Sequence, residues 1–229
     1  DGQGQFVLRS EHQIDTAWAE LGPAKSLIAE SFVKFSREVS IIAVRGQDGD
    51  VKTWALAENH HHNGILSHSI VPAPNSTDLQ PVAQDYITRL LNHLNYVGVL
   101  TLELFVTEQG LYANEMACRV HNSGHWSIEG AICSQFENHI RAVAGLPLGA
   151  TDVVRPTVMI NIIGQHPKSE DVLALKGAHL HLYNKSERAG RKLGHITLMP
   201  NNSDELTVLC RQLAQILPVP LALTTDMNL

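Results

Sequence analysis

The 229-residue chain predicts an α+β fold with mainly antiparallel sheets. Strand-length runs separated by short polar turns supply the first reason, and amphipathic stripes of helical period at several separate places supply the second. Composition supplies the third. With 44% hydrophobic and 17% charged residues the chain can bury a sizeable core, and it is too mixed for a disordered or fibrous protein. No internal repeat or low-complexity segment interrupts it.

From the amino end, a glycine-rich DGQGQ leads into a short predicted strand, QFVLR. Ser10 and Gln13 have capping-box spacing ahead of Ile14, Ala17, Trp18 and Leu21, a helix stopped by Gly22-Pro23. Strands are expected near Leu27–Val33, Glu38–Arg45 and Val51–Ala57, with the turn GQDGD between the last two. ENHHHNG reads as a polar loop before the strand ILSHSIV, which Pro72 and Pro74 close. A second capping box, Thr77 with Gln80, precedes a stripe of Val82, Tyr86, Leu90, Leu91 and Leu94 running to about Asn95. A hairpin follows, TLELFV, TEQG and LYANEM, folded about Gln109. Ile128, Ile132, Phe136, Ile140 and Val143 then predict one helix over Trp126 to Ala144, ended by Gly145 and Pro147. A domain boundary is expected at Gly149–Pro156; beyond it come strand TVMINII, a short helix near Glu170–Leu175, strands AHLHLYN and HITL, and a last helix from about Asp204 to Leu217.

Seventeen Lys and Arg against 23 Asp and Glu leave a formal charge of −6 with no basic block. Phosphate-dominated binding wants a concentrated cationic face, so neither nucleic acid nor an acidic membrane is an expected partner. No apolar run approaches the roughly 18 residues of a membrane span, and no charged-then-apolar leader stands before the first strand. A cytoplasmic location is expected. Cys118, Cys133 and Cys210 are far apart and lack CxxC spacing, and read as reduced packing residues. The start at Asp1, within a glycine loop, reads as the middle of a longer protein.

The sharpest chemical signal is the pair Glu103 and Glu115, which a hairpin about Gln109 sets opposite each other. Facing carboxylates repel, by up to about 1 kcal/mol, and a hard cation reverses the sign. With Asn114 adjacent and no thiolate nearby, Mg²⁺ shared with substrate phosphates suits the site. Two solvated glutamates on an open hairpin face are the other reading, favoured by the pattern alone. The segment NEMACRVHNSGH gathers Arg119, His121, Asn122, Ser123 and His125 before a helix, a natural anion pocket or, equally, an Asn-Ser-Gly turn with a capping serine. Zinc on His121 and His125 is weaker, because the glycine turn spoils the single helical face that such ligands need. His60, His61 and His62 read as an exposed loop. Lys185, Arg188, Arg191 and Lys192 form the one dense cationic cluster, a phosphate site or a solvated turn, with Gly190 permitting close backbone approach. Glu30 and Glu38 could be ordinary edge charges.

In order, DGQGQ, the Glu30 to Glu38 spacing, NHHHNGIL, YVGVLTLELFVTEQGL, NEMACRVHNSGHW and YNKSERAGRKLGHI resemble the 5-(carboxyamino)imidazole ribonucleotide synthase (PurK) family of the ATP-grasp superfamily. The likeness covers essentially the whole chain, and HNSGHW and GRKLGHI are its specific segments. It implies a partial ATP-grasp fold with a small carboxy-terminal β-rich domain. Residues 1–148 would be the ATP-grasp region, with 1–29 a remnant of the lid subdomain, and 149–229 a substrate-phosphate-binding domain. The implied reaction is the ATP-dependent carboxylation of aminoimidazole ribonucleotide with bicarbonate, through carboxyphosphate, in purine biosynthesis; ATP and Mg²⁺ are the implied cofactors, and the oligomeric state is left open, a homodimer being one option.

By the same resemblance Glu30, Ser31, Phe32 and Val33 would form the adenine hinge, Glu38 would bind ribose and His61 would reach the nucleotide. Glu103 and Glu115 would hold Mg²⁺, with Asn114 beside the phosphates. Arg119, His121, Asn122 and Ser123 would line the substrate and carboxyphosphate site, Lys185 and Arg191 would clamp the ribonucleotide phosphate, and Asp1, Gly2, Gln3, Gly4 and Gln5 would belong to a closing loop. Asp1, Arg119 and His121 are the implied catalytic group. The chain departs from the family where Cys118 and Ala189 replace prolines, changes that loosen a turn without removing a ligand. The phosphate-contacting lysines of this superfamily are expected before Asp1, so this chain alone is expected to be inactive. A noncatalytic nucleotide-binding fragment, and a metal hydrolase on the histidine clusters, are the competing functions.

Overall fold

The computed structural model describes residues 4–22 and 27–219 and divides into two compact units, 1–34 and 35–229. In the first unit a 3-10 turn (Glu11–Gln13) runs into helix α1 (Ile14–Leu21), which ends at Gly22 in the left-handed region. The expected capping box between Ser10 and Gln13 does not form. The Gln13 side chain accepts the Arg9 backbone N–H at 2.7 Å, while the Ser10 hydroxyl caps nothing. QFVLR and Leu27–Val33 are irregular rather than extended in a ladder, since among the described residues neither finds a strand partner. Asp1, Gly2 and Gln3 lie outside the described residues.

The second unit is built on one antiparallel sheet of nine strands: β1 (Arg37–Arg45), β2 (Val51–Thr53), β3 (Ala57–His62), β4 (Ile65–Val71), β5 (Gly98–Thr107), β6 (Gly110–Ala117), β7 (Thr157–Ile163), β8 (Ala178–Leu182) and β9 (Lys192–Leu198). Their spatial order is β6-β5-β1-β3-β4-β7-β9-β8, with β2 paired to β1 outside that path. The ladder is continuous through the β4–β7 pairing, so the segment 149–156 joins two parts of one sheet.

Alternation along β1 shows how the sheet is filled. Val39, Ile41 and Ala43 pack with Leu100, Leu102 and Leu104 of β5 under helix α2 (Leu79–His93), through Ala83, Ile87 and Leu91. Ile42 and Val44 face the other way, into a core with Trp54, Trp126, Ala142 and Met159. Burial on both faces explains the near-continuous apolar run, and makes Ser40 within it conspicuous. A third core joins β7 and β9 to α5 (Ser169–Leu173) and α6 (Ser203–Ile216).

Three sequence expectations fail here: the Thr77 and Gln80 capping box is not made, since Asp78 precedes α2 and Gln80 bonds the Leu56 N–H and the Trp54 carbonyl instead, and two elements differ for clear reasons. ENHHH is strand β3, closed to β4 by a turn at Asn63 and Gly64, both with positive φ. Its polar residues hid the strand, because they find hydrogen-bond partners inside the sheet. Trp126 to Ala144 is not one helix but α3 (Ser127–Gly130) and α4 (Gln135–Val143), separated by a bridge between Ala131 and Val153. Ser134 caps α4 by accepting the Glu137 N–H at 3.1 Å, so the restart has its own signal. Cys133 and Cys210 are buried, as packing residues should be, whereas Cys118 is exposed.

Candidate active site

Cross-strand partners share a face, and the register places Glu38, Ser40, Asn59, Ser69, Glu103 and Glu115 on one face of the sheet. The paired glutamates meet by a different route from that expected. The hairpin closes on Thr107 opposite Gly110, a register that would oppose Glu103 to Asn114. A bulge intervenes, with Asn114 as the extra residue, and Glu115 comes opposite Glu103. Ala113 faces the α2 side opposite Leu104; without the bulge Glu115 would follow it there.

Burial holds the Glu103 carboxyl above the usual carboxylate range, His61 and Lys192 pull it down, and the charges of Glu115 and Glu38 push it further up. Like charges gathered in a half-buried spot fit a divalent cation that would relieve them. Among the described residues no group of three or more His, Cys, Asp or Glu could hold a metal, so any cation here needs ligands beyond Glu103 and Glu115.

Over the carboxylates lies the segment between β6 and α3. His121 Nε2 is 3.4 Å from Glu103 Oε1, and its backbone is clamped by the wholly buried Gln135, which accepts the His121 N–H at 2.9 Å and donates to its carbonyl at 2.7 Å. Gly124 makes the close approach: a Cβ there would collide with Ile42 and Gln135. Burial first, then Arg119, Lys192 and His61, pushes the His121 imidazole down to about 4. His125 is likewise pushed down to about 4, by burial and then by His121 and Lys192. Glu38 Oε2 meets His61 Nδ1 at 3.2 Å.

The remaining predicted residues divide. Asn122 exchanges hydrogen bonds with Asn161 of β7, at 2.9 and 2.7 Å, and so ties the segment to the sheet. Ser123 is fully buried, with its hydroxyl between Ser40 and His121. Arg119 is exposed, and its guanidinium bonds the Val120 carbonyl. Arg191 holds Ser186 through its carbonyl and hydroxyl, and Lys185 stands 5.3 Å over the Tyr183 ring. Glu30, Ser31 and Phe32 are exposed within the first unit and Val33 is half-buried; Gly4 has a positive φ and Gln5 is exposed.

Sequence reasoning left Lys192 inside the cationic cluster, without a place of its own. A regular strand would put Leu193 and His195 on one face. The bulge between Ile162 and Ile163 instead sends Leu193 into the core and sets Lys192 opposite Ile163. Burial pulls the Lys192 ammonium down while the Glu103 carboxylate supports it. Beside this centre a cavity of about 420 Å³ is lined by Ser67, Asn161, Ile163 and Gly190 among others, within the usual size range for a small-molecule site.

Residues 1–136, more than half of the chain, match the ATP-grasp domain family. The chain belongs to the ATP-grasp family. Residues 157–208 of this ATP-grasp chain also match the phosphoribosylaminoimidazole carboxylase C-terminal domain. It is 52% identical over 198 residues to the N5-carboxyaminoimidazole ribonucleotide synthase of Pseudomonas aeruginosa, covering 86% of this chain and 54% of that protein. With the synthase of Vibrio parahaemolyticus it shares 48% identity over 223 residues, 95% of this chain and 59% of the relative. The ATP-grasp chain thus spans between half and three-fifths of the length of these relatives. Among solved structures, the synthetase from Thermus thermophilus superposes with a TM-score of 0.81 at 50% identity, covering 83% of this chain and 53% of that one. The synthase from Aspergillus clavatus in complex with ADP and 5-aminoimidazole ribonucleotide gives 0.75 at 30%, covering 81% and 52%.

Proposed function

We propose that this chain forms the metal-nucleotide and substrate face of an enzyme that carboxylates aminoimidazole ribonucleotide with bicarbonate and MgATP, by way of carboxyphosphate, to give 5-(carboxyamino)imidazole ribonucleotide. One observation carries the reading: Glu103, Glu115 and Glu38 meet His121 and Lys192 on a single sheet face, in a chain about half identical to proteins named as that synthase.

In this reading Glu103 and Glu115 hold Mg²⁺, and Asn114 lies beside the nucleotide phosphates. When bound, the metal neutralises charge on the phosphate oxygens. Glu38, fixed by His61, takes the nucleotide ribose. Arg119, His121 and Lys192 gather around the bicarbonate, whose weak electrophilicity is the reason for its phosphorylation. Their donors and positive charges stabilise the charge developing on the transferring oxygens. Asn122 keeps this segment seated on β7. The ribonucleotide occupies the neighbouring cavity, with Lys185 and Arg191 on its phosphate. Residues 1–148 would serve the nucleotide and 149–229 the ribonucleotide, in a cytoplasmic setting.

The test is release of phosphate from MgATP by the full-length protein, with each substrate omitted in turn. Release requiring both bicarbonate and aminoimidazole ribonucleotide is expected, and Arg191→Ala should raise the KM for the ribonucleotide with little change for ATP. Nucleotide binding without such release would instead make the chain a binding module.

A further inference from the structure

Beneath His121 runs a chain of hydrogen bonds whose direction follows from the orientation of one amide, Asn59, which turns its oxygen to Ser69 and its nitrogen to Ser40. Ser69 Oγ donates to Asn59 Oδ1 at 2.8 Å, and Asn59 Nδ2 donates to Ser40 Oγ at 2.9 Å. Ser40 Oγ donates to Ser123 Oγ at 2.8 Å, and Ser123 Oγ lies 2.9 Å from His121 Nδ1. Ser69 and Ser123 are wholly buried, Ser40 is 1% exposed and Asn59 5%, so water does not compete for these groups.

A hydroxyl has one proton to give, and an amide nitrogen can only donate. With the Asn59 nitrogen turned to it, Ser40 accepts there and keeps its one proton for Ser123, the arrangement in which Ser123 gives its own to His121 Nδ1. The Ser123 backbone N–H, which also can only donate, stands 3.4 Å from the same nitrogen. Both donors require Nδ1 to be bare. The ring proton is left on Nε2, facing Glu103 Oε1 at 3.4 Å.

We propose that Ser69, Asn59, Ser40 and Ser123 form a directional relay that fixes His121 as its Nε2–H tautomer, which makes Ser40, Asn59 and Ser69 positioning residues of the active site. The strands explain how it is built. Ser40, Asn59 and Ser69 lie on three adjacent strands, β1, β3 and β4, on the face that His121 covers, so the relay crosses the sheet perpendicular to the chain. Buried bonds in series polarise one another, and a donor held this way needs no rearrangement when a ligand arrives. The purpose of the relay rests on the function proposed above, because the Nε2–H points to the carboxylates assigned to the metal. Its direction does not.

A set of satisfied but unrelated buried polar groups would keep His121 in place whichever way the protons ran. Asn59→Asp separates the two cases with almost no change of shape. A carboxylate only accepts, so Ser40 must turn its proton toward residue 59 and can no longer donate to Ser123. The relay then reverses and favours the Nδ1–H tautomer. The experiment is ¹⁵N NMR of the histidine ring nitrogens in the 229-residue chain without nucleotide, with His121 assigned by its loss in His121→Gln.

The expected parent spectrum has a bare Nδ1 and a protonated Nε2. In Asn59→Asp the two resonances should shift toward the Nδ1–H pattern, and in Ser40→Ala, which breaks the relay without adding charge, part of the population should do so, the long Ser123 N–H contact at 3.4 Å being what still favours a bare Nδ1 in both. A parent with Nδ1 protonated overturns the proposal, as does a parent pattern retained in a folded Asn59→Asp or Ser40→Ala chain. Should Asn59→Asp fail to fold, Ser40→Ala decides. None of these readings involves turnover, so the relay can fail while the function stands, and the reverse.

Discussion

The two faces of strand β1 are made from alternate residues of the same nine, and they behave as different materials. Toward α2, Val39, Ile41 and Ala43 enter a closely packed apolar core. On the other face Ile42 and Val44 enter a core of their own, but Glu38 and Ser40 beside them belong to the site. The first face is held by burial, which tolerates small shifts; the second is held by hydrogen bonds and charges, which depend on direction. Stability and chemistry are therefore separable by which face is altered, even between neighbours in sequence.

The largest break in this comparison should come from the α2 side. Leu91→Ala removes a fully buried side chain and should lower unfolding free energy by about 2–5 kcal/mol in urea, with MgADP affinity by calorimetry unchanged in the folded protein. Equal loss of affinity would show the faces are coupled.

Acid should act on both faces. Burial pushes His68 and His195 down to about 3, while their unfolded value is near 6.5. The unfolded chain then binds more protons throughout that window, so stability falls as pH drops from about 6.5 toward 3. The slope is about 1.4 kcal/mol per pH unit for each histidine. Glu103 has the opposite sign, since its raised value lets the folded state take up a proton first and so offsets part of the loss. Urea midpoints at pH 7, 6 and 5 should decline, and His68→Gln should flatten the decline; a flat parent profile would contradict the assignment.

Gly124→Ala sharpens the comparison from the site face. Either the Ile42 and Gln135 side chains or the His121 segment has to give way, at about 1–3 kcal/mol, and since Gln135 clamps His121 either shift should weaken nucleotide binding. Loss of stability with intact binding would place the strain elsewhere. The smallest effect on folding should be that of Glu115→Gln, a gain of under about 1 kcal/mol from relieved repulsion, together with loss of the magnesium dependence of nucleotide binding. Unchanged magnesium dependence would remove the metal assignment.

The apolar face was readable in the sequence because burial leaves a period: the α2 stripe, β1, β5 and β7 all announce themselves by it. The site face was readable only in part. Glu103 and Glu115 were paired correctly, though on a register that ignored the bulge at Asn114. Strand β3 was hidden because its Asn59 and His60 look like loop residues until their partners Ser40, Ser69 and Glu58 are in place. Ser40, a lone hydroxyl inside VSIIAV, was the available clue to the relay. Lys192 was visible as charge but not as position, since its face depends on a bulge that no single-sequence period reveals.

Those bulges have a further consequence. Three of them flank the site, with Ser67, Asn114 and Leu193 as the supernumerary residues. Each one inverts the parity of its strand, so that His61 meets Leu66, Glu115 meets Glu103 and Lys192 returns toward the carboxylates. The candidate site face is thus encoded by residue count as much as by residue identity. Along these strands a one-residue deletion acts as a frameshift in space, leaving every candidate ligand in the sequence while turning some of them to the wrong side of the sheet.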